Sequence, residues 1–445
     1  MAAHALVAEN TEERIVFTAL TGSWVWYVFG ALYLAAPVIE AALIGLYLWR
    51  VYAIWQVRLA RPAPVPAGVW VWLFGMFGML AALLVAHTGY GLGFGATWKS
   101  SIGWLKGWAL LAFFPLAGAC LRIRPAIVVR GFMWMAVQTL CLMPVLILAG
   151  IAHLPQKLFV SPLQAIGGPG PEFFSVYLYT IDPSNGALRW QFIAPWSPAA
   201  GMLGDLIFIL ASYEQSKWLR RAATLAAVMI CLMTKSRMAI LFLVIYPPLI
   251  WSVSRISRPA MQAALAAVSL AAGVLAQAVM EFIATSVSAF RGARADSTRV
   301  REALGRIAVH RWREEAPIWG HGVVQKGTHF VEFMPIGSHH TWFGLLYVKG
   351  VVGVASLVLP LLWSFIEMLL LAQVSALGRI GFGVIFMLFY YSNGENLEIL
   401  SYLFWPGLLV LGAAHQEAAA GKEDSLFFFE NKNQKTFAGA VAALS

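Results

Sequence analysis

Residues 68–87 read GVWVWLFGMFGMLAALLVAH, twenty consecutive positions with no Asp, Glu, Lys or Arg among them. The apolar side chains do not alternate with polar ones, as they would on a strand of a lipid-facing barrel. A helix of this length rises about 30 Å, the thickness of a bilayer's hydrocarbon. Hydrocarbon offers the backbone no hydrogen-bond partner, so a helix, which pairs its own N–H and C=O groups, is the form such a run takes. The rest of the chain has the same texture. Of its 445 residues 60% are hydrophobic and 12% charged, about half the charge of an ordinary soluble domain, and the mean hydropathy is +0.73.

The stretch 15–55 is too long for one span and is interrupted at Pro37, so it reads as two helices. Further spans are expected at 101–121, 131–152, 197–212, 222–234, 238–254, 262–288, 341–370, 380–394 and 399–414. With 68–87 this predicts an all-α integral membrane protein of about twelve transmembrane helices. It carries a large helical periplasmic loop between spans nine and ten. The membrane domain is 1–414, including periplasmic segments 153–196 and 289–340, and 415–445 is a cytoplasmic tail. Counting from a cytoplasmic N-terminus, Arg50/Arg58/Arg61, Arg122/Arg124/Arg130, Lys217/Arg220/Arg221, Arg255/Arg258 and Arg379 all fall on one side. That is the positive-inside pattern, so the net charge of +10 needs no nucleic acid to explain it.

Three places carry candidate chemistry. In Thr234-Lys235-Ser236-Arg237 the cations sit on the outer side, against the orientation bias. Arg237 there is either snorkelling to lipid phosphate or a fixed cation for an anionic substrate. A helix expected over 299–314 sets Val300, Leu304, Ile307 and Trp312 on one side and Arg299, Glu302, Arg306, His310 and Arg313 on another. His339 and His340 stand where the outer segment meets the next span. Adjacent positions on a helix diverge, and the chain has four Asp and no Asp-x-Asp, so no metal and no cofactor is expected. A neutral imidazole beside arginines suits a base.

His339 through Gly350 resembles the His-Asn-x-x-Leu…Gly-x-x-Gly segment of the bacterial O-antigen ligase and polymerase superfamily. Arg299 to Trp312 followed by Pro317-Ile318-Trp319-Gly320-His321-Gly322 is similar to the family's Arg…Trp…Pro-Leu-x-Gly-x-Gly element. Thr234-Lys235-Ser236-Arg237-Met238-Ala239 is similar to its Thr-x-Ser-Arg-Gly-Ala. Arg189 lies ahead of Ala194-Pro195-Trp196-Ser197-Pro198, where the family places an Arg before a turn. His340 stands in place of the family Asn, and Arg301 competes with Arg299 for one position.

The resemblance implies glycan transfer from an undecaprenyl-pyrophosphate-linked donor to a lipid A-core acceptor at the periplasmic face of the inner membrane. Arg189, Arg237 and Arg299 or Arg301 would hold the pyrophosphate, His339 would be the base, and His340 would lie at the substrate. Membrane lipid is the other expected partner. O-antigen polymerase and protein O-oligosaccharyltransferase are related alternatives. A lipid-linked sugar transporter, suggested by Glu40, Asp205 and Glu281 within apolar runs, is the alternative of another class.

Overall fold

In the computed structural model the described residues are 6–57, 64–182, 186–292, 295–327, 329, 334–337 and 340–442. Asn10 caps a short helix, α1 (Thr11–Thr21), its side chain accepting from Glu13 N–H at 2.9 Å. α2 (Ser23–Val28) and α3 (Leu32–Val57) follow, so the first apolar stretch forms one long helix and two short ones. α4 (Ala67–Gly89) contains the run quoted first. α5 (Gly93–Lys106) and α6 (Leu110–Cys120) are separated by a turn at Gly107 and bent by 41°. Pro125 starts α7 (Pro125–Ile151), where a missing N–H costs nothing.

The segment after α7 is not helical. It holds two antiparallel hairpins, β1 (Lys157–Val160) with β2 (Ser175–Tyr177), and β3 (Thr180–Ile181) with β4 (Leu188–Arg189). The helices resume with α8 (Ser197–Ala211), α9 (Lys217–Met233), α10 (Arg237–Val253), α11 (Pro259–Val274) and α12 (Ala276–Gly292). α13 (Ala295–Glu315), α14 (Thr341–Leu371), α15 (Ala376–Tyr391) and α16 (Leu397–Ala442) complete the chain.

The expectation of an all-α protein with about twelve transmembrane helices is corrected. Among the described residues five helices are long and apolar enough to cross a membrane: α3, α4, α7, α14 and the first part of α16. The number rises to seven if each bent pair, α5 with α6 and α11 with α12, is one span. Apolar content overcounted because it does not distinguish a face given to lipid from a face given to neighbouring helices. α8 is apolar and nearly all buried, yet at 15 residues it rises only about 22 Å, short of the hydrocarbon thickness. The membrane-length window of α16 is 83% buried, that of α3 only 22%. The pair α11 and α12 bends by 84° at the break after Val274. The five long helices, with Trp55, Phe74, Leu359 and Leu370 exposed on them, are consistent with association with a membrane.

The core is one continuous apolar cluster joining α1, α3–α10 and α14–α16. α6 and α16 approach backbone to backbone. A methyl at Gly118 would strike Leu409 main chain and one at Gly412 would strike that of Pro115. Small residues permit this spacing, which maximises dispersion contact along two apolar helices.

The helix ends sort into two groups. At the lower end lie the α6–α7, α8–α9, α10–α11 and α14–α15 connections. There Arg130 makes a forked pair with Glu214 (2.8 and 2.7 Å), Arg124 binds Glu13 at 2.7 Å and Glu9 at 2.5 Å, and Arg50 pairs with Glu12. Several cations that mark orientation in the sequence are thus also held by acids of α1 and of the turn after α8. At the upper end lie the hairpins, the α9–α10 and α15–α16 turns and the start of α14. The candidate site is there.

Candidate functional site

α9 ends at Met233, and the chain reverses through Thr234, Lys235 and Ser236 before α10 begins at Arg237. Lys235 adopts φ 52°, the left-handed conformation of a tight reversal. Ser236 caps α10, its hydroxyl accepting from Ala239 N–H at 3.4 Å. The hairpin β3–β4 lays Arg189 against this turn. Arg189 is 9% exposed; its Nε donates to the Thr234 carbonyl at 3.0 Å and its Nη1 lies 3.5 Å from Asp182 Oδ2. Trp190 N–H adds a long bond of 3.5 Å to the Met233 carbonyl. Arg189 therefore braces the turn that presents Arg237, which is half-buried at the N-terminus of α10.

His340 is the N-cap of α14. Its Nδ1 accepts from the N–H groups of Trp342 (3.2 Å) and Phe343 (3.4 Å), and its ring lies 4.5 Å from that of Phe343. A ring nitrogen that accepts carries no proton, so proton exchange by His340 goes through Nε2. Thr341 donates its hydroxyl to the Glu395 carbonyl at 2.6 Å and accepts from Leu397 N–H at 3.1 Å. Trp196, just ahead of α8, donates its indole N–H to Glu395 Oε2 at 2.9 Å. The α15–α16 turn thereby ties α8 to α14.

A cavity of about 380 Å³ opens between this turn, the start of α14 and α13, with His340, Phe343, Gly337, Asn393, Gly394 and Glu302 in its wall. Met238, next to Arg237, packs on Gly394 so closely that a methyl there would collide with its sulfur. Tyr390 donates its hydroxyl to the Met238 carbonyl at 3.0 Å. Arg189, Arg237 and His340 thus belong to one continuous set of contacts at the upper end. Arg299 is exposed on α13 and does not line this cavity. The side chain of Arg301 and all of His339 lie outside the described residues.

α13 buries Val300, Ala303, Leu304 and Ala308 against Ile336 and Tyr347. On its other side Arg306, His310 and Arg313 line an open groove of about 620 Å³ with Glu302 and Glu314. The loop after α13 is inserted into α14, which is broken at Gly350 (φ 63°, ψ −161°). The N–H groups of His321 and Gly322 donate to the carbonyls of Tyr347 and Val348, each at 2.9 Å. Across the break Val351 and Val352 N–H donate to the Pro317 and Ile318 carbonyls at 3.0 and 3.2 Å. The loop supplies partners that the interrupted helix lacks.

His321 stacks between Tyr90 and Tyr347 and pairs with Glu315 at 2.8 Å, while Arg311 holds Glu315 at 2.7 Å. The hydrogen bond from Arg311, and then that from His321, lowers the Glu315 carboxyl to about 2.

Two features escaped the sequence reading. One is the α15–α16 turn, with Asn393, Glu395 and Asn396 between two apolar runs. Those polar residues were the available signal, but the runs were read as spans on either side of a bare connection. The other is the insertion at Gly350, since nothing local to α14 announces that residues thirty positions earlier complete it. Among the described residues no group of three or more His, Cys, Asp or Glu is arranged to hold a metal.

No protein-family model and no curated protein matches the chain in sequence. The reading as an O-antigen ligase moving glycan onto lipid A-core is therefore corrected with the fold it required. It rested on a twelve-span frame and on four short motifs. The frame is replaced by a packed bundle with five long apolar helices, and no match in sequence supports the motifs.

Proposed function

We propose that the protein is a membrane-associated enzyme whose upper end receives a lipid-linked substrate through its phosphate or pyrophosphate head. The observation that carries this reading is the braced turn. Arg189 and Asp182 fix Thr234, and Arg237 stands half-buried at the start of α10, beside the cavity walled by His340 and Gly394. A helix N-terminus and a guanidinium together favour an anion, and the planar fork of Arg suits two phosphate oxygens. Arg189 acts as the brace and Arg237 as the contact. His340 lies in the cavity wall with Nε2 as its exchanging nitrogen.

The polyisoprenyl tail of such a substrate would lie along the apolar helices. Undecaprenyl pyrophosphate, the carrier implied by the resemblance at Thr234–Ala239 and at His339–Gly350, is the substrate class to test first. We place the chain in a bacterial inner membrane as a multi-pass protein with the upper end toward the periplasm. The gathering of Arg122, Arg124, Lys217, Arg220, Arg255 and Arg258 at the lower end supports this orientation.

The test is binding of undecaprenyl pyrophosphate, with undecaprenol as the uncharged control, to the purified protein in lipid nanodiscs. The expected result is that the phosphorylated lipid binds more tightly and that Arg237→Ala weakens it about tenfold or more, the loss of one charge-assisted hydrogen bond. Equal binding of both lipids, or an unchanged Arg237→Ala variant, removes the proposal.

A further inference from the structure

A second polar chain crosses the bundle toward the lower end, far along α14 from the cavity. It runs from Trp72 on α4 to Ser364 on α14, to His415 on α16 and back to Glu367 on α14. Trp72 Nε1 lies 2.9 Å from Ser364 Oγ, Ser364 Oγ 3.1 Å from His415 Nε2, and His415 Nδ1 2.5 Å from Glu367 Oε2. Trp72, Ser364 and His415 are fully buried, and Glu367 is 8% exposed.

The protons of this chain can be assigned from donor capacity alone. An indole N–H only donates, so Ser364 Oγ accepts from Trp72. The Ser364 hydroxyl then donates to His415 Nε2, which leaves the ring proton on Nδ1, pointing at the Glu367 carboxylate. Every link is satisfied with a neutral imidazole. Gly68 is part of the arrangement, because a methyl there would land on the His415 ring and the Glu367 carboxylate.

The order Ser–His–Glu has the connectivity of a nucleophile, base and orienting acid. Hydrolysis is nevertheless a poor fit. Ser364 has no exposed surface, its oxygen is occupied by the indole, and it sits mid-helix where backbone N–H groups are already paired and offer no oxyanion hole. Access exists at the other end of the chain. Glu367 lines a groove of about 500 Å³, walled by Trp363, Leu370 and Val374 and shared with Glu417.

We propose that the Glu367–His415 pair is a proton-binding site loaded from this groove. The incoming proton is taken by His415 Nε2, giving an imidazolium whose Nδ1–H stays on Glu367 and whose Nε2–H turns to Ser364 Oγ. The Ser364 hydroxyl then swings to the Pro360 carbonyl one turn back, an acceptor open to a helical serine. Only a proton is transferred, and the pair gains one positive charge. The groups facing it are few among the described residues. Glu417 shares the groove and itself lies near Tyr213. α4 presents Gly68 and Trp72, and α15 meets α14 here through Gly381 against Met368, with no titratable side chain.

Dicyclohexylcarbodiimide, which attacks protonated carboxyls in apolar surroundings, tests the site on the full-length protein in detergent, read by peptide mass spectrometry. The expected result is that Glu367 modification quickens as pH falls from about 9 to about 6, by up to about tenfold per unit for uptake of one proton. His415→Gln, which keeps a donor toward Glu367 but cannot take a proton, flattens that dependence. Ser364→Ala, a milder change at the same chain, moves the profile without abolishing modification. Glu367 unmodified at every pH, or an identical profile in His415→Gln, overturns the proposal.

Discussion

At the level of single residues the ion pairs make opposite demands on sequence reading. Arg124 was legible as a cation at a helix boundary, but its partner Glu13 lies over a hundred positions away and no local pattern joins them. Burial works to raise the Glu13 carboxyl, and the hydrogen bonds from Arg124 outweigh it, so it ends below the usual range. A depressed carboxyl stabilises the fold above the unfolded value of about 4.3 and loses that contribution as pH falls through the folded value. Glu13→Gln is therefore expected to destabilise at neutral pH, by about 1–3 kcal/mol, and to match the parent protein in strong acid. Thermal unfolding in detergent at several pH values measures this. Glu315, held down to about 2, follows the same sign at the other end of the molecule. Its links to Arg311 and His321 persist as pH falls to about 4 and weaken toward about 2. Hydrogen exchange over 311–325 should stay slow down to about pH 4 in the parent and be faster at every such pH in Glu315→Gln.

For individual elements the outcome depended on what each apolar run faces. α4 and α7 were legible because their length and composition belong to an uninterrupted helix. α8 was misread as a span because a run of buried side chains has the composition of a run in lipid. α5 and α6 were read as one because Gly107 carries no strong stop signal of its own. The hairpins around Arg189 are too short, at two to four residues a strand, to leave an alternating pattern. The close pairing of α6 with α16 was legible only as glycines in apolar sequence. It predicts that Gly412→Val, placing a branched side chain against Pro115 main chain, costs about 1–3 kcal/mol by overpacking and lowers the melting temperature. Gly350→Ala is a sharper case. Its backbone conformation excludes a side chain, and the added methyl would meet the Ile318 carbonyl. The expected result is loss of exchange protection at 320–322 as well as at 351–352, so the damage appears in two distant segments at once.

Over the whole molecule, composition identified the solvent more securely than it counted the helices. The long apolar helices with exposed aromatic and aliphatic surface predict that the protein stays with membranes through a high-pH wash and is released only by detergent. Recovery in the aqueous fraction would contradict that reading. The candidate site was partly legible: Arg189, Arg237 and His340 lie in one neighbourhood because turns far apart in sequence share the upper end. Glu395, which fastens α8 to α14, was not, since its role depends on tertiary contact alone. The loop at 317–322 has a consequence for how the chain is made. It leaves the ribosome before α14 and holds the four hydrogen-bonding groups which that helix, interrupted at Gly350, does not supply for itself. The later segment is thus finished on a template laid down by the earlier one, and its two halves have no independent route to completion. A chain whose loop arrives misfolded would carry an unsealed helix into the bilayer, which makes this short stretch a point of quality control in biosynthesis.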